Sequence, residues 1–200
     1  MYNKSGKRIF DFVCALIAVA LLLPLFVIIS IFIMLDSEGP VFFLQDRIGK
    51  ERRIFKLIKF RTMYKNDFQE KKKFTPGDIS RITRFGSILR RTKIDELPQL
   101  INVLRGDMAL VGPRPEVPKY TYLFIGDFES LLSLRPGITD RASIKYRNEE
   151  DLLHASSDPE KLYTREILPD KLRMSLEYRH NINFRNDVKI VFSTIMKIFK

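Results

Sequence analysis

The densest chemistry in this sequence lies at Arg90-Arg91-Thr92-Lys93-Ile94-Asp95-Glu96-Leu97-Pro98-Gln99-Leu100, where two adjacent carboxylates follow three cations. Such a cluster brings together what phosphate chemistry needs. Cations neutralise an oxyanion, and carboxylates hold a divalent metal such as Mg²⁺ or attack as a nucleophile. Asp95 and Glu96 are therefore the candidate catalytic and metal-binding residues. The competing reading is ordinary: acidic residues suit a first helical turn, and Arg90 and Arg91 suit a last one.

Two other places offer phosphate-binding cations. Arg114 stands between Pro113 and Pro115, whose rings fix the backbone on both sides. A rigid turn presenting one arginine loses little entropy on binding, and the guanidinium matches phosphate bidentately. Lys59 and Arg61 bracket Phe60, and strand alternation would set both cations on one face, either toward a site or toward solvent.

The elements that position these groups are legible from pattern. Val41–Leu44 and Ile54–Phe60 are rich in β-branched and aromatic residues and read as a strand hairpin, turning near Gly49. Residues 64–80, with Lys71-Lys72-Lys73 and Thr75-Pro76-Gly77-Asp78, read as a loop. Ile82, Phe85, Ile88 and Leu89 have helical spacing. A second helix is expected from Ile94, with Asp95 as a plausible N-cap, Pro98 in the first turn and Gly106 closing it. Arg135-Pro136-Gly137 reads as another turn, and Ser157-Asp158-Pro159 opens a further helix. From Asp187 onward the chain is amphipathic and basic, suited to a membrane interface or to packing on the core.

Phe12 to Leu35 carries no charge. As a helix, at about 1.5 Å per residue, it exceeds a hydrocarbon core of ~30 Å. Pro24 sits in its middle, where a ring removes one hydrogen bond and favours a kink. Both flanks are basic, and basic flanks favour the cytoplasmic side. A through-span and a hairpin that breaks at Pro24 and returns to the same face both remain open on these grounds.

The net charge of +11 calls for anionic partners: phosphorylated substrates, lipid headgroups or nucleic acid. The last would need basic residues interleaved with aromatics or a helix-turn-helix, and neither pattern is evident. A membrane-tethered scaffold or nucleic-acid binder without catalysis is the alternative reading. The single cysteine, Cys14, excludes an intramolecular disulfide and a cysteine metal site. Zinc spacing, a P-loop and a dinucleotide glycine fingerprint are absent from the sequence, and His154 and His180 read as surface residues.

The motifs, taken in order, resemble the bacterial sugar transferases, the small monotopic phosphoglycosyl transferases. The resemblance is carried by Lys7-Arg8-Ile9-Phe10-Asp11, Gly39-Pro40-Val41-Phe42-Phe43, Gln45-Asp46-Arg47-Ile48-Gly49 and Lys59-Phe60-Arg61-Thr62-Met63. It continues through Thr83-Arg84-Phe85-Gly86, Asp95-Glu96-Leu97-Pro98-Gln99-Leu100, Gly106-Asp107-Met108, Gly112-Pro113-Arg114-Pro115 and Arg135-Pro136-Gly137-Ile138-Thr139. The departures are Asp140-Arg141-Ala142-Ser143, where the family commonly differs, and Leu23-Pro24 in place of Ser-Pro.

This resemblance implies an enzyme that moves a sugar-1-phosphate from a UDP-sugar onto undecaprenyl phosphate and releases UMP, starting surface glycan assembly. It implies Asp95 as nucleophile beside Glu96, Mg²⁺ as cofactor, a covalent aspartyl-phosphosugar intermediate and ping-pong kinetics. The donor-binding set becomes Arg90, Arg114, Lys59, Arg61, Pro113 and Pro115. The expected architecture is α+β: a re-entrant membrane helix-break-helix over residues 1–36, then a compact, mostly helical catalytic domain over residues 37–200. That domain carries a small β-hairpin and interfacial amphipathic helices, and lies on the cytoplasmic face of the bacterial inner membrane. The expected form is the minimal catalytic one, bound to membrane lipids, without nucleic acid and open to homo-oligomer formation.

Overall fold

The structure is a computed structural model that describes residues 2, 4–64 and 81–198. The lysine run and the Thr75–Asp78 turn lie outside the described residues. The chain begins with one long helix, α1 (Lys4–Asp36), followed by the hairpin strands β1 (Phe42–Ile48) and β2 (Ile54–Phe60). Two short helices, α2 (Arg84–Thr92) and α3 (Gln99–Arg105), precede β3 (Ala109–Val111). Then come α4 (Pro118–Leu123), α5 (Ile125–Leu131), β4 (Gly137–Thr139), α6 (Arg141–Lys145) and α7 (Glu149–His154). Helices α8 (Pro159–Leu162), α9 (Leu168–His180) and α10 (Phe184–Ile198) complete the order. The composition is α+β, mostly helical, as expected.

The hairpin forms as the pattern predicts, antiparallel from Phe42↔Phe60 to Ile48↔Ile54. A second sheet, not read from the sequence, pairs β3 and β4 in parallel through Ala109↔Gly137 and Val111↔Thr139. At three residues each, these strands are too short for a periodic signal, and their partner is distant in the chain. Asp158 caps α8 by accepting from Lys161 N–H at 3.0 Å, with Pro159 at the first position. Gly106 ends α3 at φ +93°, a left-handed conformation that favours glycine.

The predicted break at Pro24 does not appear: α1 runs unbroken through it. Neighbouring packing explains this. A stripe at Asp11, Ala15, Phe26, Ile29 and Ile33 is buried against the rest of the chain, with Ala18, Val19 and Leu22 partly covered. Ala15 shares a core with Leu57, Leu100, Val103 and Met108, while Phe26, Ile29 and Ile33 pack with Phe60 and Leu89. Each buried Ile or Phe contributes about 1.5–3 kcal/mol, enough to offset one lost helix bond. The core is thus shared across the boundary expected at Asp36.

Both ends of α1 rest on the same body. Arg8 donates to the carbonyls of Val103 and Leu104, and Asp11 accepts from Leu110 N–H. At the far end Asp36 accepts from Phe85 N–H at 3.1 Å. The outward face stays apolar and exposed, including Leu16, Ile17, Leu21, Ile28 and Leu35. By length and composition α1 is the one described helix able to cross a membrane. An apolar patch of this extent marks a membrane or partner contact rather than a water-facing surface. Helix α10 divides its apolar residues: Ile190 is buried, whereas Phe184, Val188, Phe192 and Ile195 are exposed.

Candidate active site

The site begins where α2 stops. Thr83 caps that helix by accepting from Gly86 N–H at 2.9 Å, and Lys93 ends it in a left-handed conformation, φ 59°. Ile94–Glu96 then form a single 3₁₀ turn, and α3 starts only at Gln99 because Pro98 has no N–H to donate. In a 3₁₀ turn residues i and i+3 eclipse. Ile94 and Leu97 accordingly face the core under α1, and Asp95 and Glu96 take the polar side.

The expected N-cap role of Asp95 is corrected by this turn: its carboxylate makes no capping bond. Asp95 is 7 % exposed, and among the described residues its Oδ1 has no hydrogen-bond partner. Burial pushes its carboxyl up to about 6, Glu96 adds to the rise, and Lys59, Lys93 and Arg90 oppose it. Removing the capping explanation strengthens the functional one, since an orphaned buried carboxylate oxygen is costly without a partner.

Glu96 is in the opposite state. Lys59 Nζ donates to its Oε1 at 2.8 Å, and Arg114 holds it bidentately, Nη1 to Oε2 at 3.1 Å and Nη2 to Oε1 at 2.5 Å. Burial alone would raise this carboxyl, but the charges and hydrogen bonds of Arg114 and Lys59 hold it well below the usual carboxylate range. The same contact pushes the Arg114 guanidinium further up, against its own desolvation.

The turn carrying Arg114 is held on two sides. Gly137 N–H donates to Pro113 O at 2.9 Å, and Gly112 N–H donates to Thr139 O at 3.1 Å. Arg47 Nη1 donates to Pro115 O at 3.2 Å. The approach of the two glycines is close: a Cβ on Gly137 would lie 2.1 Å from the Gly112 nitrogen. Pro113 and Pro115 thus act through backbone geometry.

The remaining expected donor-binding cations separate. Lys59 joins the dyad. Arg90 reaches outward to Glu150, Nε at 3.1 Å and Nη2 at 2.6 Å, while still acting on Asp95 by charge. Arg61 does not share the face of Lys59. It is buried and donates to Ile33, Ser37 and Glu38 carbonyls at the end of α1, because strand β2 has ended at Phe60 and alternation no longer applies. Arg135, in its turn, donates to Gly106 O. His154 and His180 are exposed, as expected.

A second charged layer behind Arg114 escaped the motif reading. Glu116 accepts from Tyr163 OH at 2.8 Å and lies 3.6 Å from Lys171, which pairs with Glu149 at 2.8 Å. Burial, reinforced by Glu116, pushes the Tyr163 phenol well above its ordinary range. Arg47 sits 3.9 Å from Glu116. Only Arg47 carried a local signal, in Gln45–Gly49. Glu149, Tyr163 and Lys171 arrive from helices whose contact with the turn no spacing announces.

Among the described residues there is no group of three or more His, Cys, Asp or Glu side chains able to hold a metal. An ion that takes one or two carboxylates and completes its shell with phosphate oxygens and water, as Mg²⁺ does, would need no such group. The Asp95 carboxylate, with one oxygen lacking a partner among the described residues, would be the side chain to hold such an ion, whereas Glu96 is already paired with two cations.

The bacterial sugar transferase model matches residues 2–200. The chain is 37 % identical over 203 residues to UDP-N-acetylgalactosamine-undecaprenyl-phosphate N-acetylgalactosaminephosphotransferase of Aeromonas hydrophila, covering 96 % of this chain and 43 % of that protein. It is 35 % identical over 193 residues to UDP-glucose:undecaprenyl-phosphate glucose-1-phosphate transferase of Caulobacter vibrioides, covering 94 % and 68 %. It is 34 % identical over 205 residues to the exopolysaccharide production protein ExoY of Sinorhizobium fredii, covering 95 % and 84 %. The chain thus spans less than half of the Aeromonas relative, and 36 % of a glucose phosphotransferase of Komagataeibacter xylinus. The family model spans all the residues that build the site, and this chain belongs to the bacterial sugar transferase family.

Proposed function

We propose that this protein transfers a sugar-1-phosphate from a UDP-sugar to undecaprenyl phosphate and releases UMP. The observation that carries this reading is the contrast within the dyad: Asp95 keeps a buried oxygen without a partner, while Glu96 is fixed by Lys59 and Arg114. The names of the relatives supply the substrate class.

An oxygen of the Asp95 carboxylate attacks the phosphorus that bears the sugar. The bond from that phosphorus to the oxygen bridging the two phosphates breaks, and UMP leaves with the electron pair. An oxygen of undecaprenyl phosphate then attacks the aspartyl-phosphosugar, and the Asp95 carboxylate is restored. Arg114 and Lys59 supply positive charge where negative charge develops. Mg²⁺, bound through Asp95 and substrate phosphates, would neutralise the diphosphate. A two-step exchange of this kind gives ping-pong kinetics.

The acceptor's headgroup lies at a bilayer surface, so the protein must work there. We infer that the exposed apolar face of α1 lies in the inner leaflet of the bacterial inner membrane on the cytoplasmic side, with both helix ends kept at that face by the body they pack on. The lipid-facing residues of α10 add an interfacial contact.

The test is UMP release from a panel of UDP-sugars, with and without undecaprenyl phosphate and Mg²⁺, for the native chain and Asp95→Asn. Release that needs acceptor, metal and Asp95 supports the reading and names the sugar. Release that persists in Asp95→Asn removes Asp95 as nucleophile, and silence across every donor returns the chain to a scaffold.

A further inference from the structure

Arg47 belongs to the Gln45–Gly49 motif, yet no role in the proposed reaction uses it. Its side chain is largely buried, with 14 % exposure. Both hydrogen bonds of its terminal nitrogens go to neutral acceptors: Nη1 to Pro115 O at 3.2 Å and Nη2 to Gln45 Oε1 at 2.8 Å. Among the described residues its one ion-pair partner, Glu116, stands 3.9 Å away and is already bonded by Tyr163 and shared with Lys171, while the more distant Glu96 also favours its charge. Among the described residues the buried Nε–H has no partner.

A strut holding the Pro113–Pro115 turn would not need this arrangement. A neutral amide could donate to Pro115 O without burying a charge, and an unmade buried N–H is costly. Arg47 is also placed beside another cation. It binds the carbonyl of the residue after Arg114, and Arg114 is among the charges that disfavour its protonated form, second to burial itself. Arg47 is thus held against the turn that carries Arg114 with one donor unused, an arrangement that an added anion would complete.

We infer that Arg47 is a further phosphate contact, its Nε–H and charge acting with Arg114 on an oxyanion of the diphosphate donor or of the phosphate acceptor. This rests on the proposed function for the identity of the phosphates, and on the unused donor and its place against the Arg114 turn for the anion.

The experiment uses the full chain in nanodiscs, with UDP as the binding probe. Arg47→Gln and Arg47→Lys are made in the native and in the Arg114→Ala background, and UDP affinity is measured calorimetrically. Arg47→Gln is expected to weaken UDP about tenfold or more, as for a lost charge-assisted hydrogen bond. Arg47→Lys keeps charge and reach to Pro115 O but not the fork, so it guards against a variant that fails to fold; it is expected to weaken UDP less. A direct contact predicts a further loss when Arg114 is already alanine. Unchanged UDP affinity with a raised acceptor KM would assign the same oxyanion contact to undecaprenyl phosphate. No further loss in the Arg114→Ala background, or no change toward either ligand, would make Arg47 a strut and overturn the inference. A native chain that binds UDP but releases no UMP would sink the proposed reaction while leaving the Arg47 result readable.

Discussion

Arg114 grips Glu96 through two parallel hydrogen bonds, at 3.1 and 2.5 Å, and thereby sets the two neighbouring carboxylates apart. Glu96 is held ionised well below the usual range, whereas Asp95, one residue earlier, is raised to about 6 by burial and by the Glu96 charge. Paired titratable groups pushed in opposite directions mark a division of labour. Glu96 holds Arg114 and Lys59 in place, and in the proposed reaction Asp95 is left to attack.

Replacing Asp95 with Asn should abolish turnover and raise stability near neutral pH. Its folded carboxyl lies above its unfolded value, so the stabilisation of the protonated form is complete below about 4 and lost as pH rises through about 6. Asn mimics that form, and the gain at pH 8 should be on the order of 2 kcal/mol, shrinking to nothing at pH 4. Thermal melts of both proteins across this range check it; a variant less stable at pH 8 would show that Asp95 has a favourable partner.

The same group shapes the rate profile. The nucleophile must be ionised, so kcat/KM should fall as pH drops through about 6 and level off above it. A profile with no acid limb between pH 5 and 7 would take Asp95 out of the attacking role.

Arg114→Ala should lower kcat/KM by about 100-fold or more, as expected for removing a preorganised cation from a site of developing charge. Arg114→Lys should recover only part, because a point charge cannot reproduce the fork to Glu96. Steady-state kinetics of the three proteins decide, and equal rates for Lys and Arg would reduce Arg114 to a charge.

Arg61→Gln separates an anchoring arginine from a substrate arginine. Its guanidinium meets three carbonyls at the end of α1, so the melting temperature should fall while the donor KM stays the same. A raised KM with unchanged melting would return Arg61 to the site.

The topology of α1 has its own readout. Cysteines placed at Ser5 and Ser37, in a Cys14→Ala background, should both react with an impermeant maleimide from the cytoplasmic side of oriented vesicles. Labelling from opposite sides would make α1 a through-span and require it to leave the body it packs on.

The grouping of charged side chains was readable where it was local. Asp95-Glu96 and Pro113-Arg114-Pro115 announce themselves because the residues that matter are adjacent and the proline rings fix the backbone from within. The hairpin was readable for a similar reason: runs rich in β-branched and aromatic residues on either side of Gly49 mark both strands. Beyond those limits the pattern misleads. Asp95 has the type and place of an N-cap, and only the left-handed Lys93 with the 3₁₀ turn removes it from that role. Arg61 follows the alternation of Lys59 on paper, but the strand ends one residue too soon.

Sequence by itself thus determined the family, through the order of its motifs, and the dyad, the rigid arginine turn and an apolar segment long enough for a bilayer, each a property of contiguous residues. Tertiary structure alone decided that Lys59 and Arg114 close on Glu96 rather than Asp95, that Arg90 turns to Glu150, and that Arg47, Tyr163 and Lys171 gather behind the site. It also decided that α1 stays continuous through Pro24, because the core beneath Phe26, Ile29 and Ile33 outweighs one missing hydrogen bond. These outcomes depend on burial and on partners distant in the chain, and local spacing carries no record of either.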